Sequence, residues 1–171
     1  RCGGIPMAVG VVTDMATPAL ANHGSDFVKR NFLQPTVEGN LLPCLGVSEP
    51  GAGSDVASIK TTATKSGDDY IINGSKLWIS NSPFADIAIV WAKNEQGRIK
   101  GLIVERGMEG FSTPETHNKW SLRASATGEL VFDKIDPNQT EGAFDPNIRK
   151  IFLTLQQVDP SGTKTAREIE A

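Results

Sequence analysis

The chain has 171 residues, 39% of them hydrophobic and 22% charged, with a formal net charge of -3 and a pI near 5.4. That is the composition of a globular protein with room for one domain and a real core. It argues against a nucleic-acid binder, which would carry a clustered basic patch, and no apolar run in the sequence approaches the ~20 residues that cross a bilayer.

The first stretch, Ile5 to Gln34, has a helical pattern: Met7, Val11 and Met15 share one face, and Pro18 interrupts it. Asn22-His23-Gly24-Ser25 reads as a turn, with Ser25 capping a short helix Asp26–Phe32 that Pro35 ends. From Leu41 to about Ile135 the pattern is β. Ile59–Lys65 alternates, Ser66-Gly67-Asp68-Asp69 turns, and Tyr70–Ile72 leads into Asn73-Gly74, a strong hairpin signal. "ADIAIVWAK" is a continuous apolar strand buried on both faces, turned by Asn94-Glu95-Gln96-Gly97 into "RIKGLIVE", and "GELVFDKI" is a last strand. Short strands joined by tight turns predict a mainly β fold, an antiparallel β-barrel or sandwich flanked by short α-helical segments. Beyond Ile135, "DPNQTEGAFDP" reads as a linker, and Asn147–Val158 as an amphipathic helix presenting Ile148, Ile151, Phe152 and Leu155. The division expected is 1–40, 41–135 and 136–171.

The titratable inventory is sparse. Cys2 and Cys44 make neither a disulfide framework nor a metal site, and His23 and His117 lack partners at metal spacing. Glu105 and Arg106 read as solvated surface. The chain starts at Arg1 rather than Met and reads as a processed, trimmed or excerpted product.

Three stretches invite a ligand. Ser48-Glu49-Pro50-Gly51-Ala52-Gly53-Ser54-Asp55 offers small residues and free backbone N–H groups. It lacks the Gly-Lys-Ser/Thr of a phosphate loop and the strand–helix context of a dinucleotide fingerprint, and taken alone it reads first as an ordinary turn rich in Gly, Pro, Ser and Asp. Trp78 and Ser80 lie two apart and face one side of a strand, an indole beside a hydroxyl, as a flat heteroaromatic ring requires; a core tryptophan is the alternative. Arg123, Ser125 and Thr127 alternate in "KWSLRASATGE", either facing a ligand or forming a solvated edge.

Taken together, "GVSEPGAGSDVASIKTTA", "YIINGSKLWISNSPFADIAIVWAK" and "GRIKGLIVERGMEGFS…KWSLRASATGELVFDKI" resemble the middle domain of the flavin-dependent acyl-CoA dehydrogenases, the last stretch being similar to the glutaryl-CoA dehydrogenase branch. The resemblance implies FAD as cofactor, an acyl-CoA substrate, electron-transfer flavoprotein as partner, a homo-oligomer, and a mitochondrial-matrix or bacterial cytoplasmic address. It implies that Leu45, Gly46, Val47 and Ser48 border the flavin, that Trp78 packs against it, and that Ile79 and Ser80 contact its edge. Ser54 and Thr127 would lie toward the acyl-CoA. The segments become the end of an N-terminal helical domain (1–40), a flavin-contacting β domain (41–135), and a linker with an amphipathic helical tail (136–171). The family reaction removes an α-proton with a glutamate base and passes a β-hydride to the flavin. That glutamate belongs to a C-terminal helical bundle and has no match here, so no catalytic residue is expected; Glu49 and Glu105 are not at its position. The other expectation is a non-catalytic remnant or assembly domain of the same fold.

Overall fold

The computed structural model describes residues 2–66, 69–135 and 152–153. Two helices come first. α1 (Gly4–His23) is α-helical at both ends around a wider π-helical stretch, Val11–Ala16. α2 covers residues 26–37 and has such a stretch at Lys29–Leu33. Neither proline acts as the sequence predicts: Pro18 lies inside α1 and Pro35 inside α2. The wide turns explain why. Thr17 N–H reaches back five residues to the Val12 carbonyl. In that register Pro18 has no N–H for the Thr13 carbonyl, and the Thr17 hydroxyl donates to it instead at 2.9 Å. Ser25 caps α2 as expected, its Oγ accepting from Val28 N–H at 3.3 Å. The chain leaves α2 through Gly39 at φ 78°.

By length and composition α1 is long and apolar enough to cross a membrane, which the sequence reading did not anticipate. One side of it is core, with Ala16 and Leu20 fully buried against Ile87, Ile89 and Trp91, while Ile5, Met7, Val9 and Met15 are exposed.

The strands are β1 (Pro43–Gly46), β2 (Thr62–Ser66), β3 (Asp69–Ser80), β4 (Ile87–Lys93), β5 (Ile99–Glu105), β6 (Phe111–Ser112), β7 (Thr127–Ile135) and β8 (Phe152–Leu153). They form one sheet in the order β6-β7-β3-β2-β4-β5-β8, with β1 beside β4. The sheet curls into a half-barrel, the mainly β architecture predicted. Its pairings are mostly antiparallel, but β1 and β2 both run parallel to β4. Phe152 and Leu153, expected within a helix, pair instead with β5; the rest of the tail lies outside the described residues, as does Gly67-Asp68.

Asn73-Gly74 is not a hairpin. β3 runs straight through it, and Gly74 takes φ 139° with its backbone against Thr61, where a Cβ would stand 2.8 Å from the Thr61 Cα. The glycine answers a close approach, not a turn.

β4 is buried on both faces as predicted. Ile87, Ile89 and Trp91 face the helices, while Ala88, Val90 and Ala92 face the concave side with Ile79, Leu130 and Phe132. Small residues on the inner face leave room for the larger ones arriving from β7, which interdigitate at core density. β6, which the sequence did not reveal, lays Phe111 over Phe132 with ring centroids 5.4 Å apart.

Cys44 lies in the concave-side cluster at 1% exposure. Burial pushes its thiol up to about 12, against a smaller opposing pull from Arg106. A thiol reagent at mildly alkaline pH is therefore expected to label one cysteine, the exposed Cys2, in the native protein and both in denaturant. Two fast-labelling thiols without denaturant would contradict this packing.

Candidate functional site

β1 delivers the chain into the glycine-rich loop. Leu45 and Val47 turn their side chains into the helix-side core. Gly46 is buried for packing reasons: a Cβ there would meet Leu130 Cδ1 at 2.7 Å and Lys76 Cγ at 3.2 Å. These three residues therefore offer a ligand backbone, not side chain. Gly51 and Gly53 are different, since a Cβ on either meets nothing within 4 Å among the described residues.

The loop closes on itself through two hydrogen bonds, Glu49 N–H to the Ala52 carbonyl at 2.8 Å and Ala52 N–H to the Glu49 carbonyl at 3.1 Å. It is tied to β3 as well: Leu77 N–H donates to the Ser48 carbonyl at 2.9 Å. Ser48 thus sits beside Trp78.

Simple alternation does not describe β3 here. Lys76 pairs with Leu130 and Ile79 with Gly128, so three steps on β3 match two on β7. This bulge turns Lys76 and Ile79 inward, at 0% and 3% exposure, and leaves Trp78 outside at 62%. Trp78 takes φ 63°, unusual for a bulky side chain. Ser80 pairs with Thr127, one step beyond the inward Ile79 pair, and so shares the outer side with Trp78. The hydroxyls of Ser48 and Ser80 and the Trp78 indole N–H have no partner among the described residues. Four of the expected residues, Ser48, Trp78, Ser80 and Thr127, thus sit on directly bonded segments. Ile79 brings only backbone. Ser54 is exposed, beyond the Glu49–Ala52 turn.

Arg123, Ser125 and Thr127 do not alternate on a strand. β7 begins only at Thr127; Arg123 is exposed, and Ser125 is buried with its hydroxyl unpartnered among the described residues. Lys119 organises this segment. Its ammonium donates to the Leu122 carbonyl at 3.1 Å, to the Ser125 carbonyl, and to Thr127 Oγ1 at 2.9 Å. The Thr127 hydroxyl in turn donates to the Ser125 carbonyl at 3.2 Å. Glu115, Thr116, His117, Asn118, Trp120 and Arg123 line an open polar cleft of about 550 Å³ beside it.

Two side chains expected on the surface are not simply solvated. Glu105 Oε1 is buried without a partner among the described residues, and burial raises the pKa of that carboxyl. Arg106 donates to the Ala85 carbonyl at 2.6 Å and the Ser82 carbonyl at 2.8 Å, fixing the turn after β3.

The largest feature missed by the sequence reading lies under the loop. Lys76 and Glu49 form a buried ion pair, Nζ to Oε1 2.8 Å, with side chains 0% and 6% exposed. Glu49 Oε1 also accepts from Thr61 N–H at 3.0 Å and from the Thr61 hydroxyl at 2.6 Å, and Oε2 from Lys60 N–H at 2.6 Å. Burial alone would raise the Glu49 pKa, but these donors outweigh it and hold the carboxyl at about 2. Burial pushes the Lys76 pKa down, with Glu49 opposing. Glu49 is thus committed as an anion and is unsuited to act as a base near neutrality. Its one mark in the sequence is a lysine inside an otherwise strand-like run, "SKLWIS".

Residues 44–135 match the family model for the acyl-CoA dehydrogenase middle domain. A mitochondrial isovaleryl-CoA dehydrogenase of Pongo abelii is 39% identical over 137 residues, 77% of this chain and 32% of that protein. Among solved structures, a glutaryl-CoA dehydrogenase from Mycobacterium smegmatis in complex with FADH2 aligns with TM-score 0.75 and 38% identity, over 77% of this chain and 34% of that one. Butyryl-CoA dehydrogenase from Megasphaera elsdenii aligns with TM-score 0.75 and 34% identity, over 78% and 36%. The chain spans about a third of the length of each.

Proposed function

The chain belongs to the acyl-CoA dehydrogenase family, and from that membership we propose that it forms the flavin-contacting half of a site for α,β-dehydrogenation of a CoA thioester. The observation that carries this is Trp78, held outside the sheet at positive φ beside the unclaimed hydroxyls of Ser48 and Ser80. These residues fit a planar ring: an exposed indole offers a stacking face, and two free hydroxyls and loop N–H groups offer donors to its polar edge. FAD, when bound, supplies the hydride acceptor. The chain's part is to bind and orient that ring, through Trp78 on its face, Ile79 and Ser80 at its edge, and the backbone from Leu45 to Ser48. Ser54 and Thr127 lie toward the acyl-CoA, Thr127 with its hydroxyl oriented by Lys119. The 41–135 segment is the flavin domain, 1–40 the end of a helical domain, and 136–171 a linker and tail. A glutaryl-like substrate is the finer proposal, supported by the similarity of the "SLRASATG" stretch. Electron-transfer flavoprotein as oxidant, a homo-oligomer, and a mitochondrial or bacterial cytoplasmic address follow from the same membership.

The test is the visible absorbance of the purified chain after FAD is added and free flavin removed by gel filtration. Retained flavin supports the reading. A colourless protein favours a non-catalytic assembly role. Trp78→Gly sharpens the test: relief of positive φ is expected to stabilise the fold by about 1 kcal/mol, while flavin retention falls. A variant that is both less stable and equally flavinated would contradict the role given to Trp78.

The chain alone is expected to turn over acyl-CoA slowly even when flavinated. Positioned proton transfer is worth ~10²–10⁴-fold, and neither Glu49, locked in its ion pair, nor Glu105, on the sheet, is offered as the base. Steady-state turnover at the rate of a full-length relative would overturn this.

A further inference from the structure

We propose that Lys76 and Glu49 act as positioning residues: their buried pair holds the 47–52 loop against β3 at the height that presents Ser48 beside Trp78. The inference deepens the flavin reading of the site and rests on it for its functional meaning.

Three tethers converge on this loop from β3. Lys76 Nζ donates to the Val47 carbonyl at 3.2 Å, Leu77 N–H takes the Ser48 carbonyl, and Lys76 Nζ grips the Glu49 carboxylate. Consecutive loop residues are thus held by consecutive strand residues. The Glu49 carboxylate then reaches across to Lys60 and Thr61, at the entrance to β2. Four donors satisfy it, and the loop's orientation is set from beneath. Both carbonyls being occupied, the Ser48 hydroxyl is left free.

A buried pair is weak evidence for net stability, because desolvation offsets attraction, and apolar replacements of similar volume are often as stable. A role in placing the loop is a separable consequence. It predicts that a matched apolar pair keeps the fold and loses the loop.

The experiment is amide hydrogen exchange on the wild type, on Lys76→Met/Glu49→Leu, and on Thr61→Val. In the double variant, amides of β4 and β5 are expected to keep their protection, while those of Ala52 and Leu77 exchange about tenfold faster or more, as lost charged hydrogen bonds imply. Those two amides keep their own carbonyl acceptors in the variant, so their exposure reports loop movement and not a deleted acceptor. Unchanged protection at Ala52 and Leu77 would overturn the proposal. Should the double variant not fold, Thr61→Val decides. It removes one hydroxyl tether to Glu49, and a several-fold acceleration at Ala52 is expected, whereas none would overturn the proposal. An FAD titration on the same proteins, expected to show affinity about tenfold weaker in the double variant for the same lost bonds, separates the two readings. A wild type that binds no FAD removes the flavin reading but leaves the exchange result to decide whether the pair places the loop. A wild type that binds FAD as tightly as a variant whose loop has loosened removes the functional meaning of the placement.

Discussion

Lys76→Met alone is expected to destabilise the protein by about 3–5 kcal/mol, among the largest effects of any single change in this chain. The variant leaves the Glu49 carboxylate at 6% exposure with no cation beside it. Two backbone N–H groups and one hydroxyl still face it, but the desolvation of a charge is then uncompensated. Urea denaturation measures the loss as a fall in midpoint at constant slope. A second signature comes from acid. In the wild type the Glu49 carboxyl, held at about 2 against an ordinary 4.5, contributes stability that is complete above the ordinary value. That contribution disappears as pH falls from 4.5 through 2. Without Lys76 the carboxyl relieves its isolation by taking up a proton, so the acid slope in this window should flatten. A variant that loses under ~1 kcal/mol, the value of an exposed pair, and keeps the wild-type acid slope would show that water reaches the pair.

Leu130→Ala is the second large effect, expected at about 2–5 kcal/mol. Leu130 is fully buried on the concave side of the sheet, and its side chain reaches Gly46 of β1. Its Cδ1 occupies the space beside Gly46, where an added Cβ would stand 2.7 Å away. The cavity left by alanine therefore opens directly below Gly46, where β1 leads into the 47–52 loop. The same geometry supplies the control. Gly46→Ala alone pushes into Leu130 and is expected to cost about 1–3 kcal/mol through overpacking. Combined with Leu130→Ala, the new methyl enters the vacated space, and the double variant should be more stable than the sum of the singles by 0.5 kcal/mol or more, roughly the least that contacting residues show. Strict additivity in thermal or urea unfolding would mean that the two side chains do not share this space.

Legible along the chain are the parts of this protein that repeat a simple period or carry a fixed local chemistry. The unbroken apolar run from Ile87 to Ala92 reads as a strand covered on both faces, because it is short, rich in β-branched residues and has no polar residue within it to mark a solvent side. Ser25 announced a helix start, since a hydroxyl before Asp26 satisfies a free N–H wherever the helix goes. Asn94 to Gly97 turned the chain through its own side-chain and positive-φ geometry. The ordered loops also carried enough identity to signal the family.

What tertiary structure alone decided are the places where distant segments overrule local preference. Asn73-Gly74 is a turn signal that became strand, because β3 pairs with β2 and β7 on both sides and Thr61 presses on Gly74. Pro18 and Pro35 stayed inside helices because the wide turns before them changed the hydrogen-bond register, and at Pro18 a neighbouring hydroxyl takes the orphaned carbonyl. Trp78 points outward while Lys76, two residues earlier, is buried, since a bulge against β7 breaks a period of two that the sequence shows intact. The Lys76–Glu49 pair joins residues 27 positions apart. Charge type is legible along a chain, but whether two charges meet, and whether water is excluded when they do, depends on which strands lie beside each other.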